Sequence, residues 1–338
     1  MIITQTPFRI SFFGGGTDFQ PFFEKYGGSV LSTTFDKYCY VHVRHLPRFF
    51  EFKNQLTYRK IEFANTPDEF EHPAVREGMK WLDMHELAIT HDADLPSKSG
   101  LGSSSSFAVG LLEAFYALKG KYAGKEKLAK DAIYLERVLC NEAGGWQDQV
   151  AASYGGFNRI DFSGDGFKVT PLVISPERKR ILNDHLMLFF TGFVRFSSEI
   201  SEAQIKTAET KVADLLEMRS LVDDGSQILT GKCDINDFGR LLDYTWKLKR
   251  GLADKVSSSA IDDIYSAAMR NGALGGKLLG AGGGGFLLLF VPPEYQRGVK
   301  AALSKLLYVP FEFEDFGTRV MYYAPENYPI TEEGNISA

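Results

Sequence analysis

Apolar and polar positions change rhythm several times along the chain. Residues 1–62 carry short alternating runs. The clearest is "CYVHVRH" (39–45), where Cys39, Val41 and Val43 fall on one face and Tyr40, His42 and Arg44 on the other. A period of two predicts strands there, and the aromatic run 50–63 predicts more, with a turn at Lys53-Asn54. The rhythm then lengthens to 3.6. Helices are predicted over 73–86, over 104–119 with Phe107, Leu111, Leu112, Phe115 and Leu118 in one stripe, and over 126–141 with Leu128, Ala132, Leu135 and Leu139 in line. "YGGFNRIDF" (154–162) reads as a turn entering a strand.

The stretch "PLVISPERKRILNDH" (171–185) holds two prolines and a charge run, and marks a boundary between a first domain, 1–180, and a second, 181–338. Beyond it the pattern predicts a strand at 186–192 and helices near 199–222, 234–250, 258–271 and 294–305. A glycine-rich loop within 275–293 feeds an apolar strand, and an edge strand closes the chain. Strands and helices interleave without regular βαβ alternation, so the fold class is α+β rather than a doubly wound sheet.

Composition narrows the function classes. The apolar share of 44% and charged share of 24% are those of a globular protein, and 338 residues suit two domains of about 150. A formal net charge of −5 leaves no basic footprint for nucleic acid, and no Lys/Arg block reads as a membrane-surface patch. Cys39, Cys140 and Cys233 are few and scattered, which fits a reducing compartment and neither a disulfide framework nor a CxxC metal site. No signal peptide is read at the N-terminus, and the longest apolar run, "GFLLLFV" (285–291), falls far short of the ~20 residues of a membrane helix. The expected location is the cytoplasm. Oligomeric state has no signature here.

Three glycine-rich segments carry the candidate chemistry. In "LPSKSGLGSSSSFAVGLLEAF" (95–115), small residues lead straight into a helix. Such a loop lets the backbone approach phosphate oxygens, while the helix start offers unpaired N–H groups and a favourable dipole. Ser103 or Ser104 is expected to cap that helix, and a serine hydroxyl can also ligate Mg²⁺. The loop is not a Walker A motif, because every Gly-Lys pair in the chain lacks a following Ser or Thr. "GAGGGG" (280–285) satisfies G-x-G-x-x-G, but it precedes a strand and opens no helix, which argues against a Rossmann site. "DFG" (315–317) lacks the other protein-kinase signatures. "PFRISFFGGGTDF" (7–19) could set a cation and a hydrogen-bonding carboxylate beside one pocket.

In order and spacing these segments resemble the GHMP kinases, the family of galactokinase, homoserine kinase and mevalonate kinase. "PSKSGLGSS" (96–104) resembles the family's P-x-x-x-G-L-G-S-S phosphate loop, "KLLGAGGGGF" (277–286) its glycine-rich third motif, and "FRISFFGGGTD" (8–18) the first motif of its sugar kinases. Mevalonate-type members more often end that first motif in Gly-Glu-His. With "GGWQDQ" (144–149), the finer features are similar to one bacterial branch, the D-glycero-D-manno-heptose 7-phosphate kinases. The resemblance implies a ribosomal-S5-like N-terminal domain and a ferredoxin-like C-terminal domain, with ATP and sugar between them. It implies an ATP- and Mg²⁺-dependent kinase acting on an anomeric hydroxyl. The sugar would be a heptose 7-phosphate or, failing that, fucose or galactose. A catalytically silent sensor on this fold would tolerate loss of Arg9, Ser104, Glu136 or Asp148, and all four are present.

The resemblance also implies roles. Ser99, Gly100, Leu101, Gly102, Ser103, Ser104 and Ser105 would bind the ATP phosphates, and Ser104 with Glu136 would hold Mg²⁺. Asp148 would be the catalytic aspartate, with Arg9 facing it. Asp18 would bind the sugar, helped by Gly15, Gly16, Thr17, Gly282 and Gly283. With Arg9 opposite Asp148, orienting the hydroxyl and stabilising charge weigh more than proton abstraction. A phosphorylated sugar needs further cations. His42, Arg44, Arg48, Arg59, Arg195 and Lys249 are available, and Arg195 is preferred because it follows a strand-to-loop transition. Trp81 and Tyr58 are candidates to stack on the adenine.

Overall fold

The computed structural model describes residues 1–97, 99–192, 202, 205–206, 210–252 and 256–325. The first half opens with β1 (Ile2–Phe13), α1 (Gln20–Tyr26) and β2 (Gly28–His45), followed by the short strands β3 (Asn54–Thr57) and β4 (Ile61–Ala64). Then come α2 (Pro73–Trp81), β5 (Leu87–Ala93), α3 (Ser103–Leu118) and α4 (Lys125–Ile133), which runs on as a π-helical turn, Tyr134–Leu139. α5 (Gln147–Tyr154), β6 (Asn158–Ser163) and β7 (Gly166–Pro171) complete this half. The predicted helix over 73–86 stops at Trp81, because Asp83 and Glu86 take left-handed φ values of 50° and 55°.

The 18-residue β2 is the spine of a nine-stranded sheet. β1 runs antiparallel along its length, β6 pairs with its first residues, and β5 pairs with Cys39–His45. The alternation read at 39–45 is present: Cys39, Val41 and Val43 are fully buried, and Arg44 is exposed. In β1 the alternation stops at Thr6, and every residue to Phe13 is buried. That half of the strand lies between α3 on one face and helices of the second half of the chain on the other.

The second half starts with α6 (Pro176–Asp184), capped by the Ser175 hydroxyl, which accepts from Arg178 N at 3.1 Å. β8 (Leu186–Phe190), α7 (Val212–Thr230), α8 (Asn236–Arg250) and α9 (Ser259–Arg270) follow, then β9 (Gly275–Leu278), β10 (Phe286–Phe290), α10 (Gln296–Ala302) and β11 (Leu307–Val309). Residues 199–201, 203–204 and 207–209 of the predicted helix near 199–222 lie outside the described residues, and the observed helix extends instead to Thr230. The strands form an antiparallel sheet in the order β11-β8-β10-β9. Phe286–Phe290 is wholly buried, as a central strand covered on both faces should be.

The chain then returns. β12 (Phe313–Glu314) pairs with β2, and β13 (Arg319–Tyr323) forms the edge beyond β1. By sequence both strands follow residue 181, yet their hydrogen bonds lie in the first sheet. Aromatic contacts tie the halves together: Phe238 of α8 meets Phe12 and Phe13 edge-on at 5.2 and 5.0 Å, while within the first half Phe12 stacks on Phe157 at 5.4 Å. Such pairs add about 0.5–1.5 kcal/mol each beyond their area. Among the described residues, no helix is long and apolar enough to cross a membrane.

Candidate active site

A cavity of about 840 Å³ lies where the three glycine-rich segments meet. The phosphate loop enters α3 through Gly102, whose left-handed φ of 76° makes it the N-cap. No serine side chain caps this helix, contrary to the sequence-based expectation. The hydroxyls are engaged elsewhere: Ser104 and Ser105 each donate to Glu136 at 2.7 Å, and Ser106 donates to Pro7 O at 3.0 Å. The first-turn N–H groups are therefore left for an anion at the positive end of the helix. Gly100, Gly102, Ser103, Ser104 and Ser105 line the cavity. Ser99 and Leu101 do not; Leu101 is a buried apolar plug, and Ser99 O accepts from Phe286 N at 3.3 Å.

That last bond joins the phosphate loop to the third motif. Gly100, at φ +82°, lies so close to Leu279 and Gly280 that a Cβ would overlap the Leu279 carbonyl oxygen. Gly285 is packed equally tightly on Ser99 O. Gly280 and Ala281 reach the cavity, whereas Gly282 packs on Val256 and the Gly283 N–H donates to Val256 O at 2.9 Å. The glycines expected to touch substrate thus shape the loop from behind.

Arg9 and Asp148 form a two-pronged ion pair, with Nε to Oδ1 at 2.7 Å and the second guanidinium nitrogen to Oδ2 at 2.9 Å. A third Arg9 bond, 2.8 Å to Gly100 O, ties this pair to the phosphate loop. Arg9 is 4% exposed. Asp148 stands in the first turn of α5 and faces Gly102, where a Cβ would come within 3.2 Å of Oδ2.

Glu136 is buried, which its place in an amphipathic helix pattern would not suggest. The π-helical turn sets it facing the start of α3, where Ser104, Ser105 and Gln149 all donate to its carboxylate. Such turns recur at functional sites because they re-aim side chains within a helix. Among the described residues, no group of three or more His, Cys, Asp or Glu is arranged to hold a metal ion. A hydroxyl beside a carboxylate nevertheless suits Mg²⁺, a hard ion that usually takes only one or two protein ligands.

Asp18 is buried, its carboxylate accepting from Gly16 N at 3.0 Å and Gln147 N at 3.2 Å. Burial, then the nearby Asp148 charge, pushes its carboxyl above the ordinary range. Gly145 lies directly against this carboxylate with no room for a Cβ. Gly15 and Gly16 line the cavity, while Thr17 is fully buried and holds the turn through Gly14 O and Ser29 O at 2.8 and 3.0 Å. Ser11 Oγ and Gln147 Oε1 are buried beside Asp18 without a hydrogen-bond partner among the described residues.

Two buried lysines complete this end. Lys249 of α8 donates to Gly280 O, and Lys277 of β9 donates to Phe12 O at 2.8 Å. Lys249 was only one of several possible cations by sequence, and Lys277 was not singled out. A readable signal existed: Phe238, Leu242, Thr245, Trp246 and Lys249 share the buried face of α8, so a lysine occupies a core position. Of the other cations, Arg59 lines the cavity, Arg48 pairs with Glu86 at 2.8 Å, and His42 and Arg44 are not among the lining residues. Arg195 lies outside the described residues.

At the far end, four rings form a ladder. Tyr58 meets His72 at 5.4 Å, and Phe107 meets His72 at 4.9 Å and His91 at 4.6 Å. Burial pushes His72 down to about 4 and lowers His91 as well, so both rings are neutral and can face a flat heterocycle. Trp81 instead packs on Tyr134 at 5.2 Å, outside the cavity.

Comparison with known proteins fits this geometry. The GHMP kinase N-terminal domain model matches residues 71–156 and the C-terminal domain model residues 230–309. The D-glycero-alpha-D-manno-heptose 7-phosphate kinase of Campylobacter jejuni is 31% identical over 322 residues, covering 90% of this chain and 93% of that protein. The L-fucokinase/L-fucose-1-P guanylyltransferase of Bacteroides fragilis is 26% identical over 88% of this chain but only 35% of its own length. A crystal structure of a D-glycero-D-manno-heptose 1-phosphate kinase from Bacteriodes thetaiotaomicron superposes with a TM-score of 0.78 over 95% of this chain and 99% of that one, at 24% identity. The chain belongs to the GHMP kinases and is an ATP-dependent phosphotransferase.

Proposed function

We propose that this enzyme transfers the γ-phosphoryl group of ATP to the anomeric hydroxyl of D-glycero-D-manno-heptose 7-phosphate, giving the 1,7-bisphosphate. The observation that carries this reading is the Arg9–Asp148 pair, which is hydrogen-bonded to the phosphate loop and faces Gly102 at the start of α3, in a cavity that also holds Asp18. The adenine stacks at the Tyr58–His72–Phe107–His91 ladder, and the phosphates meet the first-turn N–H groups of α3. The acceptor's hydroxyls engage Asp18, Ser11 and Gln147, whose buried polar atoms suit a polyol. An oxygen–phosphorus bond forms at the anomeric oxygen as the bond to the β–γ bridging oxygen breaks, and that electron pair leaves with ADP. The hydroxyl proton goes to Asp148, which Arg9 holds in line with the phosphate loop. Arg195 is the residue proposed for the 7-phosphate.

Ser104 and Glu136 would hold Mg²⁺, which when bound neutralises phosphate charge. In a Ser104→Ala, Glu136→Gln double variant the Mg²⁺ concentration for half-maximal activity should rise at least about tenfold. A titration indistinguishable from wild type would remove these two residues from the metal site.

Similarity to the Campylobacter heptose 7-phosphate kinase over nearly both full lengths supports the choice of sugar. The fucokinase relative, matched over 88% of this chain, favours a second reading: an unphosphorylated sugar phosphorylated at its anomeric oxygen. A coupled ADP-release assay on a sugar panel decides between them. The heptose 7-phosphate should exceed free heptose, fucose and galactose in kcat/KM by about 100-fold or more, as a site built for a polar group rejects analogues that lack it. Preference for fucose or galactose would overturn the heptose assignment.

A further inference from the structure

Lys249 is a lysine out of place. It projects from the apolar face of α8, is 5% exposed, and reaches the cavity beside Arg9, Asp18 and Asp148. An ammonium has three N–H donors, and the acceptor seen for this one is Gly280 O. Among the described residues no carboxylate comes within ion-pair distance of it or of Lys277. A buried, unpaired cation is costly to a fold unless an anionic ligand offsets it.

Its position indicates which anion. Gly280, which accepts from Lys249, is packed backbone-to-backbone on Gly100, and Gly100 accepts from Arg9. Lys249 and Arg9 therefore approach one backbone junction from the two halves of the chain. The N-cap of α3, Gly102, lies two residues further along the phosphate loop.

We infer that the Lys249 ammonium binds the transferring phosphoryl group, as a second cation opposite Arg9 and independent of any metal ion. The inference rests on the site reading above for where phosphoryl transfer occurs, and not on which sugar accepts it. It makes the phosphoryl site one shared by the two halves of the chain, because α8 carries Lys249 and the first half carries Arg9 and Asp148. Fixed charges aimed at a transferring phosphoryl group are a main source of rate in such reactions.

The ionisation of Lys249 supplies a signature. Burial and then Arg9 lower its pKa to about 8, while Asp18 and Asp148 oppose that shift. The charged groups facing it are Arg9 from β1, Asp18 from the turn after β1, Asp148 from α5 and Lys277 from β9. The folded-state pKa is lowered, so the ammonium is present below pH about 8 and lost above it. For wild type, kcat/KM for ATP should fall as pH rises through that value. Bound phosphate favours the ammonium, so the same limb in kcat should lie at higher pH.

The test uses the intact protein and three variants: Lys249→Met, Lys249→Gln and Lys249→Arg. Calorimetric titration needs no acceptor, so it decides the matter even if the heptose assignment fails in the sugar panel. Lys249→Met and Lys249→Gln should bind the non-hydrolysable analogue AMP-PNP about tenfold more weakly, with ADP affinity unchanged within about twofold. With the acceptor that wild type uses, kcat should fall on the order of 100-fold. Lys249→Arg should retain activity and carry the alkaline limb of kcat/KM to pH 10 or above, about where a guanidinium stays charged. Equal losses for AMP-PNP and ADP, or none, would overturn the inference. So would an alkaline limb in Lys249→Arg unmoved from wild type, and that arm stands even if the neutral variants fail to fold.

Discussion

Asp148→Ala should reduce phosphoryl transfer by about 10²–10⁴-fold while ATP binding stays near wild type, the range expected when a positioned acid–base group is removed. The geometry explains the split. Asp148 meets Arg9 through both carboxylate oxygens, but the phosphate loop keeps its own bond to Arg9 through Gly100 O, and the N–H groups of α3 do not involve Asp148. Removing the carboxylate strips the buried Arg9 guanidinium of its ion pair. Asp148 itself is a quarter exposed at the side chain, so the stability loss should be about 2 kcal/mol, less than for a fully buried pair. Asp148→Asn keeps the shape and one hydrogen bond. It separates the two effects: its melting temperature should approach wild type while its turnover stays low. Wild-type turnover in either variant would dismiss Asp148 from the chemistry.

Gly100→Ala should be nearly as damaging to turnover, although it adds one methyl group and removes no chemical function. Two costs combine. At φ +82° an L side chain costs about 1–2 kcal/mol, and the new Cβ would overlap the Leu279 carbonyl oxygen, a backbone atom unable to swing aside. Relief requires the phosphate loop and the third motif to part by about 1 Å. Misplacement on that scale can reduce kcat about 100-fold, since Arg9 loses its fixed distance to the loop. Gly120→Ala is the matched control: φ there is +65°, and nothing lies within 4 Å of a Cβ. It should lose about 1 kcal/mol of stability and no activity. If Gly100→Ala behaved like Gly120→Ala, the loop-to-loop contact would be irrelevant to turnover.

Much of this architecture was legible in the chain because it depends on local pattern. The period-two run at 39–45, the apolar stripe of α3 and the solid apolar run of β10 each declare how many of their faces are covered. The phosphate loop was legible for a related reason: glycine and serine crowding at a helix start has few other uses. What escaped was what depends on a partner distant in sequence. Asp18 and Gly145 are pressed together across 127 positions, and nothing near either one announces it. The expected serine cap of α3 failed because Gly102 takes the cap position, leaving Ser103 and Ser104 inside the first turn, and Ser104 donates instead to Glu136, brought there by a π-helical turn that the even leucine spacing of 126–141 conceals. Lys249 is the intermediate case. Flanked by Lys247 and Arg250 in a basic run, it looks like solvated charge until the helical face is drawn, and then it stands alone among buried side chains.

The return of the chain to its first sheet bears on how the protein is made. Residue 2 pairs with residue 323, and the backbone at Met1 accepts a hydrogen bond from Ala324. Such a closure is about as non-local as a chain of this length permits, and non-local strand pairing is slow because the loop entropy must be lost before the contacts form. During synthesis, β1 therefore emerges with one edge bare and stays so until β13 has left the ribosome. An unpaired strand edge of this kind invites association with other chains. Truncation before residue 313 should give a chain that retains every residue named in the active site, yet aggregates through the exposed edge of β1.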